Sequence, residues 1–143
     1  MIRPYYLLDT NVVSEIMKPL PSKTVVKRLA MYERFCALPS TVWNELLFGV
    51  QSMAEGKKKM LLFENLVDDV QSRYDIIHYD NHAAWIQADI CSRLREAGKP
   101  IDFQDTQIAA IAVANGMILV TRNTKHFEPI QAVSPLLLEN WFE

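Results

Sequence analysis

The feature that most constrains the fold is a regular alternation of short apolar runs with longer segments whose apolar residues recur at helical spacing. The runs predict strands at residues 5–8, 35–38, 75–79 and 117–120, with a last candidate strand at 131–133. The spaced segments predict helices at residues 12–17, 22–34, 41–56, 58–72, 81–98 and 108–114. We therefore expect one α/β domain over residues 1–143, with a parallel sheet of four to five strands and helices on both faces.

Composition and charge limit the classes of function. Half of the 143 residues are apolar and 22% are charged, which is typical of a globular domain and not of a disordered chain. The formal net charge of −2 supplies no overall attraction to phosphate, so a nucleic-acid site would have to be local. The longest apolar stretch, residues 108–121, is interrupted by Asn115 and Gly116. We expect a cytoplasmic protein that does not enter a membrane.

Several residues are assigned structural roles. Cys36 and Cys91 lie in apolar segments without a pairing pattern, which predicts buried free thiols. Thr41 is the predicted N-cap of the third helix, and Trp85 is predicted to lie in the core. Trp141, near the C-terminus, is expected either to pack back on the domain or to contact a second subunit.

Three acidic residues stand at the ends of predicted elements. Asp9 directly follows the first strand, Glu45 lies in the first turn of the helix after the second strand, and Asp105 opens the buried helix before the fourth strand. Each of them alone has an ordinary interpretation, because carboxylates at helix starts accept backbone hydrogen bonds and complement the helix dipole. All three can nevertheless reach the carboxyl ends of the strands, where open α/β sheets bind ligands.

Three carboxylates brought together would repel one another and raise their pKa values unless a cation lay between them. Mg²⁺ or Mn²⁺ is the cation that fits best, because hard ions prefer oxygen ligands and keep several water molecules. Such an ion could activate water for attack on phosphorus. The three histidines share no ligand spacing, which disfavours a zinc site.

Four sequence stretches resemble the PIN-domain family when they are taken together and in order. They are LLDTNVVSE at residues 7–15, WNELLFG at 43–49, GKPIDFQDTQIAAIA at 98–112 and LVTRNTKHF at 119–127. Within that family the chain most resembles the VapC toxins of toxin–antitoxin systems, including the FitB-like subgroup. The resemblance implies a metal-dependent endoribonuclease whose substrate is RNA, with transfer RNA as one substrate class. It also implies a VapB-like antitoxin as partner, and a homodimer.

The resemblance assigns roles to individual residues. It implies that Asp9 and Asp105 ligate the metal and that Glu45 joins them through the metal or its water. Thr10 and Asn11 would support the cluster by hydrogen bonding.

One position departs from the pattern of the family. Many relatives carry a fourth acid at the place of Asn123, and the amide predicts a site with one tightly held ion in place of two. Asp102 is an alternative to Asp105, although the family pattern places the acid ahead of the apolar run that begins at Ile108.

Other functions remain as alternatives. A haloacid-dehalogenase-type phosphatase also places Asp after its first strand, but it needs a second Asp where Asn11 stands. A receiver domain needs another acid near the chain start and a late lysine, for which only Lys125 is loosely available. A catalytically idle PIN module that acts by binding a partner, and a solitary RNA-processing nuclease, are the closer alternatives to a toxin.

Overall fold

One parallel sheet forms the centre of the computed structural model, which describes residues 4–143. Its strands, in chain order, are β1 (Tyr6–Leu8), β2 (Cys36–Pro39), β3 (Asp75–Ile77), β4 (Ile118–Val120) and β5 (Leu137–Glu139). Their order across the sheet is β3-β2-β1-β4-β5, and every neighbouring pair is parallel. The predicted α/β class with a parallel sheet is confirmed.

Seven α-helices connect these strands within residues 4–143. They are α1 (Thr10–Ile16), α2 (Lys23–Tyr32), α3 (Ser40–Gln51), α4 (Lys57–Asn65), α5 (Asn81–Glu96), α6 (Phe103–Ala114) and α7 (Thr124–Val133). The fourth predicted helix is divided, because α4 continues into a π-helical segment at Leu66–Gln71. The third helix begins at Ser40 after Pro39 without a side-chain cap, so the prediction of Thr41 as its N-cap is wrong.

The strand order creates a switch point beside β1. From β1 the chain moves outward through β2 and β3, and it then crosses to the opposite side for β4 and β5. Right-handed crossovers that run in opposite directions place their helices on opposite faces of a sheet. A crevice therefore opens where β1 and β4 lie side by side, at the carboxyl ends of both strands.

The core covers both faces of this sheet, and α6 is its most deeply buried helix. Residues 108–112 of that helix are all buried, as are Leu7, Leu8, Leu119 and Val120 in the two central strands. Strands buried on both faces have continuous apolar runs without polar alternation, which explains why short runs predicted them.

The prediction of a strand at residues 131–133 is wrong, because these residues form the last turn of α7. The chain leaves this helix at Ser134, and Pro135 cannot continue it. The edge strand β5 follows and pairs with β4 through Ile118 and Leu137. Val133 follows Phe127 and Ile130 at a spacing of three residues, a helical pattern too short to be recognised in the sequence.

Predictions were made for two of the three tryptophans, Trp85 and Trp141. Trp85 is 73% exposed, so the prediction of a core residue is wrong: the buried face of α5 is formed by Ala83, Gln87, Ile90 and Leu94, and position 85 lies outside that stripe. Trp141 is fully buried and packs on the rings of Tyr6 and Tyr32.

Both cysteines are free, as predicted, although only Cys36 is buried. None of the helices in residues 4–143 has the length and apolarity needed to cross a membrane.

Candidate active site

Asp9 is the most deeply placed acid of the site. It is 8% exposed, and its backbone N–H donates to the Val120 carbonyl at 3.0 Å, which fixes it between the ends of β1 and β4. Its carboxylate accepts hydrogen bonds from the Thr10 backbone N–H at 2.8 Å, the Thr121 hydroxyl at 2.8 Å and the Asn11 amide at 3.3 Å. Burial raises the pKa of Asp9, although these hydrogen bonds oppose the rise.

Asn11 and Thr121 join α1 to the loop after β4. The Asn11 amide donates to the Thr121 hydroxyl at 3.3 Å, and its carbonyl oxygen accepts from the Arg122 backbone N–H at 3.0 Å. The Thr121 hydroxyl also accepts from the Asn123 backbone N–H at 3.0 Å. Sequence reasoning missed Thr121. Its position directly after a central strand, like that of Asp9, is the signal that could have identified it.

Glu45 reaches the same place from the second turn of α3, so its predicted position in the first turn is wrong: the helix begins at Ser40, earlier than expected. Its Oε2 accepts hydrogen bonds from the Thr10 hydroxyl and from the Gln104 amide, the latter at 2.8 Å. Glu45 is exposed, so its carboxylate is held by these two donors and not by burial. Gln104 was not predicted, because nothing in its sequence environment distinguishes it from a surface residue.

Asp105 lies in the first turn of α6, and its side chain is 25% exposed. Burial and the nearby negative charges of Asp102 and Asp9 raise the pKa of Asp105 to about 6, and His126 opposes this rise. The His126 Nδ1 lies 4.0 Å from the Asp105 carboxylate.

Asp102 has a different role. Its Oδ1 accepts from the Asp105 backbone N–H at 2.9 Å, so it is the N-cap of α6.

The three acids predicted from the sequence line one cavity of about 290 Å³ at the switch point of the sheet. Thr10, Asn11 and Asn123 line it as well, together with Gln104 and Ile108, whereas Asp102 does not. Within residues 4–143, no three His, Cys, Asp or Glu side chains stand close enough to ligate one ion directly.

An α/β domain with carboxylates gathered beside the switch point of its sheet has a site suited to cation-assisted phosphate chemistry. The PIN domain model matches residues 6–131, and the chain belongs to that family.

Two characterised relatives match most of this chain. Toxin FitB of Neisseria gonorrhoeae is 36% identical over 124 residues, which cover 85% of this chain and 89% of FitB. The tRNA(fMet)-specific endonuclease VapC of Shigella flexneri is 30% identical over 136 residues, which cover 95% of this chain and 97% of the enzyme. The crystal structure of FitAcB from Neisseria gonorrhoeae superposes with a TM-score of 0.87 at 32% identity and covers 96% of this chain and 99% of that one.

Proposed function

We propose that the chain is a metal-dependent endoribonuclease that acts as the toxin of a toxin–antitoxin pair. The observation that carries the proposal is the single cavity that Asp9, Glu45 and Asp105 line at the carboxyl ends of β1 and β4. Membership of the PIN domain family and similarity to proteins named as an endonuclease and a toxin support it.

The side chains of this cavity fit Mg²⁺ or Mn²⁺ by the chemistry of their donors. All three acids offer carboxylate oxygens, and burial, with a smaller contribution from neighbouring carboxylates, raises the pKa values of Asp9 and Asp105, so that their charged forms would gain from a bound cation. Asp9 and Asp105 would hold the ion, and Glu45 would act on it through a bound water molecule. A bound ion would supply an activated water and would offset the charge that develops on phosphorus.

The other side chains of the cavity orient the acids. Thr121 and Asn11 hold the Asp9 carboxylate, and Thr10 and Gln104 hold the carboxylate of Glu45. A carboxylate with its rotamer fixed in this way loses less freedom when it binds a cation, which favours a preorganised site.

Side chains that can donate to the phosphates of a substrate lie next to the acids. Lys125 and His126 line a neighbouring cavity of about 420 Å³ together with Asp105. They would donate hydrogen bonds to phosphates of the RNA, and the local charge of Lys125 would act where the net charge gives no overall attraction.

The substrate class and partners follow from the relatives. The name of the Shigella flexneri protein specifies a transfer RNA, and transfer RNA is the substrate class that we propose to test first. The similarity to FitAcB and to the VapBC2 structure from Rickettsia felis, which superposes with a TM-score of 0.81 at 28% identity, supports a VapB-like antitoxin as partner. We propose that the toxin works in the cytoplasm as a homodimer.

The cleavage test compares the parent protein with Asp9→Asn and Asp105→Asn on transfer RNA in the presence of Mg²⁺. Each substitution keeps the size of the side chain and removes a ligand charge, so cleavage should fall by more than about 100-fold, beyond the loss usual for residues that only support a ligand. Asp80→Asn is the matched control, because Asn also caps helices and Asp80, the N-cap of α5, lines neither of the two cavities.

The outcomes of this test separate the alternatives. Asp80→Asn should cleave like the parent, and EDTA should abolish cleavage by both. Full activity of Asp9→Asn would refute the assignment of the site, and the absence of cleavage by the parent on any RNA would favour an idle module.

A second test concerns the antitoxin. We expect its C-terminal segment to cover the acidic cavity, with an Arg or another cation in the place of the metal, because a guanidinium complements clustered carboxylates. Expression of the chain alone should arrest growth, and co-expression with the product of a neighbouring antitoxin gene should restore it. Normal growth at high expression, together with a monomer on a sizing column, would contradict the toxin proposal and favour a solitary RNA-processing nuclease.

A further inference from the structure

A second cavity, of about 510 Å³, adjoins the acidic cavity on the side of Glu45. Glu45 and Gln104 line both cavities, so the two share a wall. The other residues that line it belong to α3 and α6 and are Thr41, Asn44, Phe48, Phe103 and Gln107. Its volume falls in the range of about 300–1,000 Å³ that is usual for small-molecule sites. The proposed nuclease does not use this cavity in its chemistry.

Two exposed aromatic rings mark this cavity. Phe48 on α3 is 67% exposed, and Phe103 at the start of α6 is 71% exposed. A single exposed apolar side chain is ordinary, but two phenylalanines at one cavity beside an acidic site form a distinct feature. Aromatic faces that stand free beside a phosphate-cleaving centre are suited to stack on unpaired bases of RNA.

The polar groups of the cavity can recognise the edge of a base. Within the described part of the chain, the side-chain amides of Asn44 and Gln107 make no hydrogen bond, and each offers both donors and an acceptor. The hydroxyl oxygen of Thr41 is buried and has no hydrogen-bond partner among residues 4–143. This oxygen has less than 1 Å² of accessible surface, so a base in the cavity would be recognised by Asn44 and Gln107 and not by Thr41.

We propose that this cavity binds one nucleobase of the RNA next to the cleaved phosphate, stacked on Phe103 and Phe48 and recognised at its edge by Asn44 and Gln107. The proposal rests on the proposed function and adds a base-binding subsite that selects the cleavage position. Gln104 lines this subsite and donates a hydrogen bond to Glu45, so a base bound here would lie next to the acidic cavity.

The binding test uses fluorescent single-stranded oligoribonucleotides of eight residues and proteins in an Asp105→Asn background, which prevents cleavage. Phe103→Ala should weaken binding by about 5- to 150-fold, the range measured for loss of one stacked base. Phe103→Tyr should bind like the parent, because it keeps the ring. Phe103→Leu should bind like Phe103→Ala, because it keeps apolar area without an aromatic face.

Trp85→Ala is the matched control, since Trp85 is as exposed as Phe103 but lines a different cavity together with Val113. Val113 is ten residues along α6 from Phe103, which corresponds to about 15 Å of helix. This control should leave binding unchanged.

A series of oligonucleotides, each with a single abasic position, identifies the contacted base. One position should lower affinity for the parent and have no further effect on Phe103→Ala, because the same stacking interaction is then already lost. With cleavage-competent protein, sequencing of the product ends from a random RNA pool should show that Gln107→Ala relaxes the nucleotide preference at one position beside the cut.

Several results would overturn the proposal. If Phe103→Ala binds RNA and selects its cleavage positions as the parent does, the subsite is refuted and the nuclease assignment stands. If the parent neither binds nor cleaves RNA, both fall. If Phe103→Ala converts a dimer into a monomer on a sizing column and Phe103→Leu remains dimeric with normal RNA binding, Phe103 is a subunit contact and the subsite is refuted.

Discussion

Asp9 shows at the level of one residue how a helix cap differs from a reactive acid. As the N-cap of α1 it accepts from the Thr10 backbone N–H, and such bonds stabilise the charged form and lower the pKa of an acid. Its pKa is nevertheless raised, because burial outweighs the hydrogen bonds and Glu45 adds negative charge. The charged form of such a buried acid is disfavoured unless a cation binds beside it.

The pKa of Asp105, raised to about 6, predicts how stability depends on pH. The folded protein holds this proton up to about pH 6, whereas the unfolded chain releases it near pH 4. In this interval the folded state binds more protons, so the Asp105 contribution to the free energy of unfolding falls as pH rises and stays low above pH 6. Without metal, Asp105→Asn should therefore exceed the parent in stability by up to about 2 kcal/mol at pH 7 and by little at pH 4.

Urea unfolding in EDTA at several pH values measures this difference. Asp68→Asn, at an exposed position of the π-helical segment, is the control and should not change the pH profile relative to the parent. A stability difference between Asp105→Asn and the parent that stays constant from pH 4 to pH 7 would contradict the prediction.

Asn123 predicts the number of metal ions. It lines the acidic cavity, where three carboxylates could offset one divalent ion but not two. Asn123→Asp should strengthen the binding of a second ion and lower the Mg²⁺ concentration needed for cleavage. The reason is that hard cations bind more tightly to oxygen ligands that carry more negative charge. Metal titration of both proteins with a non-cleavable RNA would test this. Identical stoichiometry and Mg²⁺ dependence would show that Asn123 takes no part in metal binding.

At the level of elements, the C-terminal segment after β5 is tied to the sheet by one tryptophan. Trp141 is fully buried against Tyr6 of β1 and Tyr32 of α2, and its indole N–H donates to Glu139 at 3.0 Å. Because β5 is an edge strand with one neighbour, this packing contributes much of what holds it in place.

Trp141→Ala should lower the free energy of unfolding by about 3–5 kcal/mol, the usual loss for a buried aromatic side chain. The control is Phe142→Ala, whose half-buried ring lies 4.6 Å from the Arg122 guanidinium and should contribute about 1 kcal/mol. Urea unfolding of both variants measures the two losses. Equal losses would show that the tryptophan does not anchor the segment.

At the level of the whole molecule, the net charge of −2 predicts a weak dependence of RNA binding on salt. Lys125 lines the cavity next to the acidic cavity. One or two charged phosphate contacts on a single strand correspond to a slope between about −0.7 and −1.4 for the logarithm of the association constant against that of the salt concentration.

Fluorescence anisotropy with a short single-stranded RNA between 50 and 300 mM salt, roughly the range over which such slopes are usually followed, tests this prediction. Lys125→Gln should make the slope shallower by about 0.7, and Lys58→Gln, at an exposed position on α4, should leave it unchanged. A parent slope steeper than about −4 would indicate a much larger basic surface than this chain presents.

Much of the fold was predictable because its signals are local. The four predicted strands before residue 121 all exist, and the buried helix α6 was recognisable from an apolar run too long for a strand. The positions of Asp9 after β1 and of Asp105 in the first turn of α6 could also be read from the chain, whereas Glu45 lies one turn later in α3 than predicted; all three residues line one cavity. Their roles in metal binding remain predictions.

Other features depend on residues that are distant in the chain. Thr121 meets Asp9 across 112 positions, and Gln104 meets Glu45 across 59. No sequence periodicity predicts such contacts. They arise only when β4 lies beside β1 in the sheet and α6 packs near α3.

The sequence by itself determined the fold class, the order of most elements and the set of acids at the strand ends, because spacing along a chain dictates which face of an element is apolar. The tertiary structure alone decided that Trp141 is buried and Trp85 exposed, that β5 follows residue 135, and that Phe48 and Phe103 share one cavity. Those outcomes depend on which faces of separate elements meet, and that is settled by the packing of the whole domain.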